Sequence, residues 1–150
     1  MSLFRSFSLP TAAIAGALVG ASAVQPAFAS NFQQFRFNTC SESGLCSVDF
    51  GVVPVGKRLE VASESCFLFS SAAPILVMDF VVLNANGAPT IHDYGVPVAT
   101  GQNVGGSFIA AVNNQTFYVV AGGRKIRAVM TAGDASNLEL DCKIAGQLLP

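Results

Sequence analysis

From about residue 33 to the C-terminus, apolar and polar side chains alternate with a period of two, the signature of half-buried strands. Phe35 and Phe37 alternate with Gln34, Arg36 and Asn38. Cys46, Val48, Phe50 and Val52 share one face, with Ser47, Asp49 and Gly51 on the other. The pattern is cleanest near the end, where Leu138, Leu140, Cys142 and Ile144 oppose Asn137, Glu139, Asp141 and Lys143. One dry face and one wet face is the habit of antiparallel sheets. The alternation predicts strands near 33–38, 46–53, 58–70, 75–83, 106–112, 115–121, 124–131 and 137–144. The run Ile75–Leu83 is apolar on both faces, which suits a central strand or one face of an oligomer. Asp79 inside that run needs a bulge, a local hydrogen bond or an arginine partner.

Turn residues punctuate these runs. Val53-Pro54-Val55-Gly56-Lys57 and Asn84-Ala85-Asn86-Gly87-Ala88-Pro89 carry the Pro and Gly that turns favour. Asn113-Asn114 and Gly122-Gly123 read as two-residue hairpin links, and Gly133-Asp134-Ala135-Ser136 as the last connection. On that reading the final four strands form a continuous meander. The stretch from Thr90 to Gly106, with Pro97 and four glycines, reads as a long loop with at most a short strand around Val96–Thr100. Eight or nine strands with this spacing predict an all-β, antiparallel two-layer sandwich, immunoglobulin-like or jelly-roll in kind, with a small closed barrel as the alternative.

The first 29 residues break the pattern. Arg5 precedes a 14-residue apolar run, Thr11 to Val24, and then Gln25-Pro26-Ala27-Phe28-Ala29. A charged start, a short greasy middle and an Ala-x-Ala end predict a signal peptide cut after Ala29. The run is shorter than the roughly 20 residues of a membrane-spanning helix. Residues 30–150 are then a single exported domain, periplasmic or extracellular. Its seven basic and nine acidic residues give a charge of −2, too weak and mixed for general nucleic-acid binding.

Export changes the meaning of the four cysteines, Cys40, Cys46, Cys66 and Cys142. An even number in an oxidising compartment reads as two disulfides. Of the three pairings, Cys40–Cys46 with Cys66–Cys142 is favoured. Ser41-Glu42-Ser43-Gly44-Leu45 is a turn-like connector, and Cys142 lies on the apolar face of a strand. The spacing is not that of a zinc site, and neither a metal nor a cofactor is expected.

Catalytic motifs are lacking. The single histidine stands in His92-Asp93-Tyr94, whose consecutive side chains point to opposite sides of an extended chain, a poor acid–base pair. His92 and Tyr94 are candidate ligand contacts, because loops on a rigid scaffold often bind. Lys57-Arg58 and Arg124-Lys125-Arg127 each follow a tight turn; at one end of a sandwich they would form a cationic patch for an anionic glycan or another acidic group. Charges at strand ends also keep edges soluble, which is the plainer reading. Asn114-Gln115-Thr116 matches a glycosylation sequon. There is no Trp, and most Phe residues fit core positions, so nothing points specifically to sugar recognition.

The segment Val53-Pro54-Val55-Gly56-Lys57-Arg58-Leu59-Glu60-Val61, followed by Ser63-Glu64-Ser65-Cys66, resembles small exported proteobacterial proteins with a VPxGKRL-type turn. The resemblance covers about 15 residues and implies export and a β-sandwich, but no active site. The expected function is therefore a non-enzymatic binding or assembly module of the bacterial envelope. One alternative is a self-associating structural or adhesin-like subunit, a homo-oligomer. The other is a small secreted enzyme using the His92 loop.

Overall fold

Strands of β-branched and aromatic residues need partners for both their backbone edges and their apolar faces, and this chain supplies both by bending. The computed structural model describes residues 30–96 and 102–150; the expected signal segment 1–29 and most of the expected strand around Val96–Thr100 lie outside them. Among the described residues, seven strands form: β1 (Ser30–Asp49), β2 (Arg58–Ser70), β3 (Ile75–Leu83), β4 (Pro89–Val96), β5 (Gln102–Val104), β6 (Ser107–Ala121) and β7 (Lys125–Leu149). They make one antiparallel sheet in the order β4-β3-β7-β2-β6-β5, with β1 paired to the other side of β7.

The long strands β1 and β7 turn this sheet into a sandwich. The first part of β7, Lys125 to Ala132, pairs with β3, and the part from Leu138 to Leu149 pairs with β2. Alongside it, Leu45 to Asp49 of β1 follow the first part and Ser30 to Cys40 follow the second. Both strands thus cross from one layer to the other. Counted by layer, seven continuous strands provide nine strand segments. Met78, Phe80, Ile126 and Met130 of the first layer and Leu59, Leu68, Leu138 and Leu140 of the second belong to one buried cluster.

Three predicted connections are corrected. Asn113-Asn114 lies inside β6, and Gly133-Asp134-Ala135-Ser136 lies inside β7. Gly122-Gly123 does connect β6 to β7, but β2 runs between those strands, so the link is an arch between layers and not a hairpin. The expected meander does not form. A side-by-side pair of arches explains this. Val53 N–H donates to the Arg124 carbonyl at 2.8 Å and Gly123 N–H donates to the Val53 carbonyl at 2.8 Å, tying the 50–57 arch to the 122–124 arch. A Cβ on Gly122 would stand 2.7 Å from the Pro54 carbonyl oxygen, so only glycine fits between them. The expected long loop is also corrected: His92, Asp93 and Tyr94 lie on β4, with Asp93 opposite Val81 and Tyr94 opposite Phe80.

Both predicted disulfides are present. Cys40–Cys46 joins the two halves of β1 where it turns between layers, a turn in which Glu42 takes a φ of 50°. Cys66–Cys142 joins directly opposed residues of β2 and β7, with Cα atoms 4.2 Å apart and both side chains buried.

Candidate functional site

Residue Ala62 decides what faces in and what faces out on the second layer. Pairing of β2 with β7 shifts between Val61 and Ser63. A one-residue shift moves every later side chain to the opposite face. Before it Leu59 and Val61 are buried; after it Glu64, Cys66, Leu68 and Ser70 are buried. Strict alternation from Leu59 would have placed Phe67 inside and Glu64 in water. The bulge reverses both.

Glu64 is consequently a fully buried carboxyl group. Tyr118 O–H donates to its Oε1 at 2.5 Å, and Asn114 Nδ2 donates to Oε2 at 3.4 Å. Burial pushes the Glu64 carboxyl above the ordinary glutamate range, against the lowering effect of those two donors. A raised folded-state value means that the stabilising contribution is complete below the unfolded value and declines as pH rises. Glu64→Gln keeps an acceptor for Tyr118 and removes the proton. Urea denaturation at pH 5 and pH 8 is expected to show a smaller pH-dependent loss in the variant, by on the order of 1 kcal/mol. Identical pH dependence in both proteins would contradict this. Asn114, half-buried and bonded to Glu64, is a strand residue and poorly placed as a glycan acceptor.

On the outer face of the same layer the strand rows are explicit. Phe37, Asp141, Phe67 and Ala111 form one row across β1, β7, β2 and β6. Phe35, Lys143, Ser65 and Asn113 form the next. Three aromatic rings lie open here, with Phe35 58 % exposed, Phe37 57 % and Phe67 47 %. The expectation that most phenylalanines fill the core fails for these three and for Phe117. Gln34 and Asn38, which alternate with Phe35 and Phe37, point the other way. Gln34 accepts from Gly51 N–H at 2.7 Å and Asn38 donates to the Ser47 carbonyl at 2.8 Å, while Arg36 Nε donates to the Asp49 carbonyl at 3.2 Å. This polar ladder occupies backbone groups of Ser47, Asp49 and Gly51 and blunts that edge.

Phe35, Phe67, Ser65, Asn113, Asp141 and Lys143 line an open depression of about 330 Å³. Asp141 Oδ1 is shielded from water and, among the described residues, has no hydrogen-bond partner. Partial burial pushes the Asp141 carboxyl up. A desolvated acceptor without a donor costs stability and commonly marks a functional position. The period-two pattern at 137–144 puts Asp141 and Lys143 on the wet face, but the bulge that adds Phe67 has no composition cue.

The predicted ligand residues divide differently. Lys57, Arg58 and Arg124 do gather at the end where the two arches meet. Lys125 and Arg127 are engaged: Lys125 Nζ and Arg127 Nε each lie 2.5 Å from the Asp49 carboxylate, and Arg127 adds a second contact at 2.9 Å. Arg58 lies 3.8 Å from Glu60. The cationic group is thinner than the sequence suggests. His92 and Tyr94 belong to β4 in the first layer, on a different element from both the arches and the depression.

The Asp49 cluster has an acid signature. The Arg127 guanidinium, with Lys125, holds the Asp49 carboxyl down at about 2, against an opposing effect of partial burial. A depressed folded-state value contributes stability above the unfolded range, lost as pH falls from about 4 to about 2. Because the Asp49 side chain is 35 % exposed, screening limits this to about 1 kcal/mol. Asp49→Asn is expected to be less stable at pH 6 and nearly equal to the parent at pH 2 in urea titrations. An equal deficit at both pH values would refute the assignment.

No family model and no curated protein matches the chain. Among solved structures, a chain titled "Structure of infectious bursal disease virus Gx strain" aligns with 80 % of this chain and 32 % of its own length, at 13 % identity and a TM-score of 0.42. This chain thus spans about a third of that one. Among the described residues, no helix is long and apolar enough to cross a membrane.

Proposed function

We propose that this protein is an exported, non-enzymatic binding module of the bacterial envelope, and that it binds through the outer face of its second layer. One observation carries the reading: a depression on that face bordered by the exposed rings of Phe35 and Phe67 and lined by Ser65, Asn113, Asp141 and Lys143. Rigid strands hold those groups at fixed spacing, which lowers the entropy lost on binding. Support for export comes from the signal-like residues 1–29 and from two disulfides compatible with an oxidising compartment. Among the described residues, the arch cations offer no comparable cluster.

The test is co-sedimentation of the oxidised protein with bacterial envelope fractions. The parent is expected to bind, a Phe35→Ala/Phe67→Ala variant to lose at least about tenfold in affinity, and Lys57→Ala/Arg58→Ala/Arg124→Ala to retain it. Loss only in the basic triple variant would move the site to the arches. A second reading, self-association, is favoured by Leu76 and Val77, 56 % and 43 % exposed on β3. Light scattering that gives a monomer at high concentration would remove it.

A further inference from the structure

Resting on the reading of that face as a ligand site, we infer that its ligand is a neutral sugar chain, with a pyranose ring stacked on Phe67 or Phe35 and hydroxyls bonding the open polar groups of Asn113 and Lys143. Exposed phenyl faces carry negative quadrupole charge and attract the weakly positive C–H face of a sugar ring. The polar groups around them are those a polyol satisfies. Asp141 accepts, Lys143 donates, and Ser65 and Asn113 do both.

Charge separates this ligand from its rivals. The depression holds one carboxylate and one ammonium, Asp141 and Lys143, two residues apart on the same face of β7. Lys143 opposes a cationic ligand. Asp141, with Glu139 on the same face one row further along, opposes an anionic one. A neutral ligand with both donors and acceptors meets both charges without repulsion. The volume of about 330 Å³ suits a small-molecule-sized unit. Its open side lets a chain continue past the bound ring.

The experiment is an array of neutral, amino and acidic oligosaccharides probed with the oxidised protein, followed by calorimetric titration of the best neutral binder. Binding to neutral hexose chains is expected. Phe67→Ala and Asn113→Ala should each weaken it about tenfold, and Phe67→Tyr should preserve it. Preference for acidic glycans, or neutral-glycan affinity unchanged by Phe67→Ala, would overturn the inference. Envelope binding that depends on Phe67 but is not competed by any neutral sugar would overturn the sugar assignment and leave the binding face standing. Failure of the parent to bind envelope fractions at all would remove both.

Discussion

Gly146→Ala is expected to be the most damaging single-methyl change in this protein. The position lies opposite Val61, at the bulge where β2 gains a residue against β7. A Cβ there would sit 2.0 Å from the Glu60 carbonyl oxygen and 3.0 Å from the Val61 Cα. These are backbone atoms and cannot rotate away. Relief requires β2 and β7 to part, which breaks ladder hydrogen bonds and shifts the register that buries Glu64 and exposes Phe67. Overpacking usually costs about 1–3 kcal/mol, and a backbone clash belongs at or above the upper end. Urea denaturation should show a loss of about 3 kcal/mol or more, with weakened ligand binding as the face distorts. A stability equal to that of the parent would mean that the bulge is not where the structure puts it.

Cys66→Ala/Cys142→Ala is expected to be the second large effect. The bridge links residues 76 apart in sequence, so the unfolded chain without it gains a long loop's worth of freedom. The chain-entropy estimate is about 4–5 kcal/mol, against about 2 kcal/mol for Cys40–Cys46, whose partners are 6 apart. Both Cys66 and Cys142 are also buried, so the alanines leave a small void. The double variant should lose more than about 10 °C in Tm, and Cys40→Ala/Cys46→Ala clearly less. Equal losses would show that loop length is not the source of the stabilisation.

The two disulfides and the all-β sandwich were legible because each has a local or compositional signature. Turn-like Ser41–Leu45 brings Cys40 to Cys46, and Cys142 continues an alternating apolar row. The order of strands was not legible. Asn113-Asn114 carries hairpin residues, yet tertiary pairing with β2 holds Asn114 in a strand beside Glu64. Gly133 to Ser136 look like a turn between strands because a bend between layers uses the same residue types as a hairpin. The site was only half legible. Asp141 and Lys143 stand on the wet face by simple alternation, whereas Phe67 joins them through the shift at Ala62. Phe35 and Phe37 look like core residues in a one-dimensional pattern. They face outward because Gln34, Arg36 and Asn38 take the other face, where their side chains bond backbone groups of Gly51, Asp49 and Ser47. Lys125 and Arg127 looked available until Asp49 came beside them across the sheet.

The most direct measurement is an amide chemical-shift map of the labelled, oxidised protein during titration with a neutral oligosaccharide. Shifts should concentrate at Phe35, Ser65, Phe67, Asn113, Asp141 and Lys143, leaving Lys57, Arg58 and Arg124 still. A response confined to the arches, or spread evenly over the chain, would contradict the assignment of this face.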